Sequence, residues 1–257
     1  MKVVLFAGGL GTRLRDYDEK VPKPMVTIGY RPIMWHLMKY YAHYGHTEFI
    51  VCLGYKADVI KRYFLAYDEC LSNNFVMAQG GKQVELLKTD IQDWRITFVD
   101  TGMSTAIGER LRRVRQFVED DEMFLANYTD CLTDMDLNCY LAHFRASQKT
   151  AAMVTVPPSV SFHYVSASNG LVTSLTDARS TQLRVNGGFF AFRREFFDYL
   201  EQGEELVDGP FHRLMSQEQL LAYEHDGFWR AMDTFKDKEQ LEALHSAGSP
   251  PWQIWDS

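Results

Sequence analysis

The residues best suited to chemistry gather near the amino terminus. Ala7-Gly8-Gly9-Leu10-Gly11-Thr12-Arg13-Leu14 directly follows the apolar run Val3–Phe6. Gly8, Gly9 and Gly11 let backbone N–H groups turn toward a ligand and approach it closely. Thr12 adds a hydroxyl, and Arg13 adds a forked, permanently charged donor set. Further on, Lys23 stands between Pro22 and Pro24, which stiffen the backbone around it. An ammonium held this way can act as a point charge on a phosphoryl group. The set suits a polyphosphate. It is not a dinucleotide fingerprint, because Leu14 stands where a third glycine would be needed. It is not a Walker loop either, because no Gly-Lys-Ser/Thr occurs. Asp130, just after the run Phe124–Tyr128, would sit at a carboxyl edge of the sheet, with a turn aspartate as its plain reading.

These residues need a scaffold that presents them at one edge. Val3–Phe6, Phe49–Leu53, Ile96–Val99 and Phe124–Tyr128 read as strands buried on both faces. Between them lie helical stripes. One opens at Pro32 with Ile33, Leu37, Tyr41 and Tyr44 and stops at Gly45. Another carries Val59, Ile60, Tyr63 and Phe64, with Asp58 as its expected cap. A third runs through Ile107, Leu111, Val114 and Val118, and a fourth through Leu137, Tyr140, Leu141 and Phe144. This rhythm predicts a mostly parallel sheet with helices on both faces, and ligands at the carboxyl ends of its strands.

After residue 150 the pattern changes. Ala151–Val156 reads as a strand ended by Pro157-Pro158. Tyr164–Ala167 and Leu171–Leu175 flank Asn169-Gly170, a hairpin signal. Gly187–Phe192 is a further strand, and helices are expected at 194–201, 210–219 and 237–246. No linker separates the halves. The chain reads as one domain over 1–257, with a nucleotide-binding half at 1–150 and an acceptor-binding and carboxyl-terminal half at 151–257.

The 257 residues include 27 Lys and Arg against 34 Asp and Glu, a net charge of −7. That balance argues against nucleic acid as a partner. No run approaches the roughly 18 apolar residues of a membrane helix, and no signal peptide is evident, so a cytoplasmic protein is expected. Cys52, Cys70, Cys131 and Cys139 lack metal spacing and are expected as thiols. His43-x-x-His46 lacks companion ligands. Asp134-x-Asp136-x-Asn138 fails as a calcium loop, with Cys139 at position six and Arg145 at position twelve. Of the run Arg110, Arg112, Arg113 and Arg115, three are expected on a solvated helix face opposite Leu111 and Val114. The tryptophans are expected as packing residues, with Trp229 singled out because it lies near Asp233.

Gly8-Gly9-x-Gly11-Thr12-Arg13 followed by Pro22-Lys23-Pro24-Met25 resembles the sugar-phosphate nucleotidyltransferase superfamily. Within it, the chain looks like the glucose-1-phosphate cytidylyltransferases. The likeness runs from Met1 to Trp255 and includes Gly54-Tyr55-Lys56, Gly108-Glu109-Arg110-Leu111, Asn186-Gly187-Gly188-Phe189-Phe190 and Met232-Asp233-Thr234. Asp100-Thr101-Gly102 and Gly227-Phe228-Trp229 point to the cytidylyl branch. The resemblance implies a Rossmann-like three-layer α/β/α sandwich with a mixed, mostly parallel sheet, of the nucleotide-diphospho-sugar transferase type. It implies transfer of CMP from CTP to a sugar 1-phosphate with release of pyrophosphate. Such in-line transfer relies on positioning, charge neutralisation and Mg²⁺.

Carried onto this chain, the resemblance makes Arg13 and Lys23 the catalytic residues. Gly8, Gly9, Gly11, Thr12, Arg13 and Lys23 bind the triphosphate, and the segment from Thr101 and Gly102 to Gly108 reads the base. It pairs Asp130 with Asp233 as Mg²⁺ ligands and implies a homo-oligomer. The acceptor site departs from the family. The usual Phe-Gly becomes Phe162-His163-Tyr164, and the usual Glu-Lys-Pro aligns with Asp177-Ala178-Arg179. Asp177, Arg179, Asn186 and Gly187 remain as acceptor-binding candidates, with Arg179 able to replace the lost lysine. Either the hairpin re-registers and glucose 1-phosphate still fits, or the acceptor is a different phosphomonoester. A nucleotide-sugar-dependent glycosyltransferase is the alternative, on the strength of Asp134-Met135-Asp136, although helix capping is the simpler role for that motif. A nucleotide-binding regulator is a third reading.

Overall fold

The computed structural model describes residues 1–9, 21–158 and 163–255, with Arg179 described by its backbone alone. β1 (Val3–Phe6) is buried along its length. Val3 and Leu5 face one core, Val4 and Phe6 the other, as the period of two requires. The short pair β2 (Thr27–Ile28) and β3 (Arg31–Pro32) turns at Gly29, whose φ of +62° suits glycine. Pro32 then leads into α1 (Ile33–His43). β4 (Glu48–Leu53) and α2 (Ala57–Leu65) follow. Asp58 does not cap α2. Lys56 occupies the cap in a left-handed conformation, and Asp58 pairs with Arg62 at 3.3 Å one turn on.

An exposed ribbon, β5 (Phe75–Ala78) with β6 (Gln83–Leu86), is an element that hydrophobic periodicity did not suggest. β7 (Arg95–Asp100), α3 (Ile107–Arg113), β8 (Met123–Tyr128), β9 (Cys131–Thr133) and α4 (Leu137–Ser147) complete the first half. α3 stops earlier than its apolar stripe implied, and a 3₁₀ turn at Arg115–Phe117 carries Val118 into the core.

The second half begins with β10 (Ala151–Val156) and the ribbon of β11 (His163–Ser168) and β12 (Leu171–Asp177). The ribbon turns at Asn169-Gly170, both at positive φ, as the hairpin signal predicted. β13 (Val185–Arg193) follows. The helix expected at 194–201 is a 3₁₀ segment, Arg194–Tyr199. At 210–219 the chain forms a π turn, Val207–Phe211, and then α5 (His212–Ser216). Pro210 has no N–H to give a regular helix at that point. β14 (Leu220–Glu224), β15 (Trp229–Ala231) and α6 (Phe235–Ser246) end the element order.

The central sheet has seven strands in the order β14-β10-β13-β8-β1-β4-β7, drawn from both halves of the chain. β13 alone runs antiparallel to its neighbours; the other pairings are parallel. One core lies between the sheet and α1, α2, α4 and α6, through Ile33, Leu37, Ile60, Leu137, Leu141 and Leu241. The other lies beneath α3 and the segments around Phe196, Phe211 and Leu214. The architecture is therefore the expected three-layer α/β/α sandwich with a mixed, mostly parallel sheet.

Candidate active site

The carboxyl ends of β1, β4, β7 and β8 lie at one edge, so Gly8, Gly54, Thr101 and Asp130 leave the sheet side by side. Because β13 runs the other way, its beginning reaches this same edge. Val185 pairs with Val156 and Asn186 with Thr155 at the end of β10. The register then slips across Gly187 and Gly188, a bulge that turns the strand toward the end of β8. Gly188 has a φ of +76°, and a Cβ on it would meet the Tyr128 ring at 2.8 Å.

Lys23, Asp130 and Asp233 converge. Lys23 Nζ donates to Asp130 Oδ2 at 2.5 Å and to Asp233 Oδ1 at 2.7 Å. Pro24 and Met25 are buried in a 3₁₀ turn that anchors the lysine. The two aspartates flank a small ladder. β9 pairs with β15, Cys131 opposite Ala231, and Met232 N–H donates to the Asp130 carbonyl at 2.8 Å. Thr234 then caps α6 through a capping box with Asp237, which orients the turn holding Asp233. Burial pulls the Lys23 pKa down, but the Asp130 and Asp233 carboxylates outweigh it and hold the ammonium above the ordinary lysine value. Two hard-oxygen carboxylates aimed at one cation form the donor set that Mg²⁺ takes together with phosphate oxygens. Among the described residues no third His, Cys, Asp or Glu joins them.

Gly8 and Gly9 begin the glycine loop. Gly11, Thr12 and Arg13 lie outside the described residues. The Gly8 carbonyl accepts from Arg110 Nη2 at 3.1 Å. The same guanidinium donates to the Leu53 carbonyl at 3.1 Å, Thr101 Oγ1 at 2.7 Å and the Met103 carbonyl at 3.2 Å. Arg110 is 2 % exposed and is the member of the run that turns inward, while the other three keep the solvated face. Arg112 and Arg113 pair with the Glu109 carboxylate and Arg115 with Glu119, and Arg113 Nη1 also donates to the Thr101 carbonyl at 2.9 Å. The helical period held the signal. Positions 107, 110, 111 and 114 share the inner stripe of α3. Burial pulls the Arg110 pKa below the ordinary arginine value, yet carbonyls and a hydroxyl surround the cation.

Gly54 permits this junction. A Cβ there would lie 2.6 Å from the Gly8 carbonyl oxygen and 2.7 Å from that of Gly102. Thr101 Oγ1 also donates to the Leu53 carbonyl at 2.8 Å. Gly102, at φ +85°, donates its N–H to Asp100 Oδ1 at 2.9 Å. Gly108 sits apart from this cluster. Its missing side chain makes room for the backbone of Glu204, at 2.6 Å.

In the region expected to meet the acceptor, Asn186 Oδ1 accepts from Gly188 N–H at 2.9 Å. Burial, reinforced by the Asp130 and Glu205 carboxylates, pushes the Tyr128 phenol up to about 12. The Gly187 carbonyl accepts from Trp229 Nε1 at 2.8 Å. Asp177 ends β12 opposite His163, and the Arg179 backbone belongs to the 3₁₀ turn Ala178–Ser180. Phe162 and the side chain of Arg179 lie outside the described residues. Asp136 caps α4 by accepting from Cys139 N–H at 3.0 Å, and Asp134 pairs with His225 at 3.1 Å. Within the Asp134-Met135-Asp136 segment, Asp136 is thus occupied as a helix cap.

The Nucleotidyl transferase family model matches residues 2–240. The chain is 39 % identical to the glucose-1-phosphate cytidylyltransferase of Salmonella typhi, covering all of both chains. Identity and coverage are the same for the enzyme of that name from Salmonella typhimurium (strain LT2). Among solved structures, HddC from Yersinia pseudotuberculosis superposes with a TM-score of 0.67 at 18 % identity, covering 95 % of this chain and 99 % of that one, a likeness of fold. The strand order, the carboxylate pair at the sheet edge and the full-length sequence match lead to one assignment: the chain belongs to the nucleotidyl transferase family.

Proposed function

We propose that this protein transfers CMP from CTP to glucose 1-phosphate and releases pyrophosphate. The full-length likeness to glucose-1-phosphate cytidylyltransferases carries the reading. The geometry supplies its chemistry. The phosphate oxygen of a sugar phosphate is already anionic near neutral pH, so attack on the α-phosphorus needs orientation and charge neutralisation rather than a base. The glycine loop and Arg13 receive the triphosphate, and Lys23 counters charge on the transferring phosphate. Asp130 and Asp233 would hold Mg²⁺, which supplies electrostatic stabilisation of the phosphate oxygens when bound. The segment from Thr101-Gly102 to Gly108, with Thr101-Gly102 fixed by Arg110 and Gly54, reads the edge of cytosine. Uracil presents a carbonyl acceptor where cytosine presents an amino donor, so it would leave a buried group unpaired.

Asn186 and Gly187 face the acceptor, and Arg179 takes the place of the lysine that relatives carry. The protein acts in the cytoplasm on this reading, and among the described residues no helix is long and apolar enough to cross a membrane. It works as a homo-oligomer. Ribbons as small as β5–β6 and β11–β12 are marginal alone, and they expose Met77, Val84, Val165 and Leu175.

The test is a panel of CTP, UTP, dTTP, ATP and GTP against several sugar phosphates, with pyrophosphate as readout and mass measured by light scattering. CTP with glucose 1-phosphate is expected to lead. Equal use of UTP would overturn the base assignment. Undiminished affinity for glucose 1-phosphate in Arg179→Ala would remove Arg179 from the acceptor site, and a monomer would remove the assembly.

A further inference from the structure

We infer that Trp229 is a positioning residue that registers the acceptor strand against the carboxylate pair. The inference rests on the acceptor assignment above and goes beyond it. The Gly187 carbonyl accepts from Trp229 Nε1 at 2.8 Å, and Cys131 Sγ lies 3.5 Å from it, its one S–H shared with the Tyr128 carbonyl and Asn127 Oδ1. The two groups come from the two strands of the small ladder, Trp229 from β15 and Cys131 from β9. Asp130 directly precedes Cys131, and Asp233 follows β15 after Met232. One carbonyl oxygen therefore ties the strand that presents Asn186 to the ladder that presents both carboxylates.

The stronger of the two ties is the indole. A thiol is a weak donor, and its sulfur lies farther from the oxygen than the indole nitrogen does. Trp229 is itself held from behind. Thr133 Oγ1 donates to the Phe228 carbonyl at 2.8 Å, and Asp134 N–H donates to the same carbonyl at 3.2 Å. Gly227 makes the preceding turn possible, because a Cβ there would lie 2.6 Å from Asp134 Oδ1 and 2.6 Å from the His225 ring. Space at the junction is also tight. A Cβ on Gly187 would meet the Val154 carbonyl oxygen at 3.2 Å and Trp229 Nε1 at 3.5 Å. Gly187 lies within the bulge, where β13 lacks regular ladder bonds to fix its position. The indole N–H thus sets how far the acceptor phosphate stands from the charge-neutralising groups, and in-line transfer is sensitive to that spacing.

Trp229→Phe removes the donor and keeps a ring, whereas Trp229→Leu removes both. For a positioning role, KM for glucose 1-phosphate should rise about tenfold in both variants while KM for CTP stays within about twofold. Only the leucine variant should lose much thermal stability. For a packing role alone, the phenylalanine variant would keep its acceptor KM, and that result overturns the inference. Amide hydrogen exchange provides a readout independent of turnover. Exchange in a peptide covering residues 185–190 should accelerate in Trp229→Phe, while one covering 95–100 stays unchanged. Unchanged exchange at 185–190 overturns the tie. If the wild-type protein turns over no glucose 1-phosphate, the substrate reading fails, and the exchange measurement still decides the role of Trp229.

Discussion

Asp233 Oδ1 lies 2.7 Å from Lys23 Nζ, although 210 positions separate the two residues in the chain. The contact joins the rigid turn after the glycine loop to the turn that opens α6. It leaves a single ammonium shared between two carboxylates. Replacing Lys23 should remove a transition-state charge and leave Asp130 and Asp233 facing each other uncompensated. Turnover in Lys23→Ala should fall ~10²-fold or more in a folded protein. The pairing also sets a pH dependence. The Lys23 pKa is raised in the folded state, so its stabilisation is complete below the ordinary lysine value and is lost as pH rises through the raised one. Thermal melts across the alkaline range should show a shallower decline in Lys23→Met than in the wild type. A near-wild-type rate in Lys23→Ala would remove the lysine from the chemistry.

The carboxylate pair gives a separate expectation. Asp130→Asn and Asp233→Asn keep the backbone bond between Met232 N–H and the Asp130 carbonyl, so the β9–β15 ladder should survive. Each variant should need more Mg²⁺ to reach half-maximal activity and should reach a lower plateau. Titration of activity against Mg²⁺, with circular dichroism as the check on folding, measures this. Unchanged Mg²⁺ curves in both variants would refute the metal assignment.

Arg110 should act on nucleotide binding through its four acceptors. Lysine is a point charge and cannot span carbonyls on separate strands, so Arg110→Lys should raise KM for CTP by about tenfold or more. Arg110→Met removes one donor from each of the Gly8, Leu53 and Met103 carbonyls, of which Gly8 keeps Tyr55 N–H and Leu53 keeps Thr101, so the loss should come to about 1–3 kcal/mol in all. Urea melts and CTP titrations measure the two effects. Gly54→Ala, which puts a Cβ into contact with the carbonyls of Gly8 and Gly102, should weaken CTP binding in the same way. CTP affinity unaltered in Arg110→Lys would separate this arginine from the nucleotide site.

His36 supplies an acid limb to stability. It is buried in α1, with Nε2 donating to the Ile28 carbonyl at 3.0 Å and Nδ1 accepting from Trp252 Nε1 at 3.4 Å. Both partners require the neutral ring, because protonated Nδ1 would face an N–H donor. Burial pushes its pKa down to about 4 from an ordinary 6.5. The resulting stability is present above the ordinary value and is lost as pH falls through the folded one. Melting temperature should decline between roughly pH 6.5 and 4, less steeply in His36→Gln. His46, also pushed to about 4 by burial and the nearby amino terminus, should supply part of the remaining slope. An identical acid limb in His36→Gln would exclude His36 as a source of the dependence.

The glycine loop, the rigid Lys23 segment and the alternation of buried strands with amphipathic helices were legible in order along the chain. Each depends on neighbouring residues alone: backbone permissiveness at Gly8 and Gly9, fixed φ at Pro22 and Pro24, and periods of 2 and 3.6. Asp130 could be placed at a sheet edge because it directly follows an apolar strand. The β9–β15 ladder could not be read this way. Its strands span three residues each, too short for a period, and they come from opposite halves of the chain. The partners of Arg110 were hidden for a different reason. Four oxygens on separate segments surround its charge, and no local pattern records them. The direction of β13 was equally hidden, since an apolar run has the same pattern read either way. Packing between β8 and β10 made it antiparallel, and that reversal carried Asn186 and Gly187 to the edge where Lys23, Asp130 and Asp233 meet.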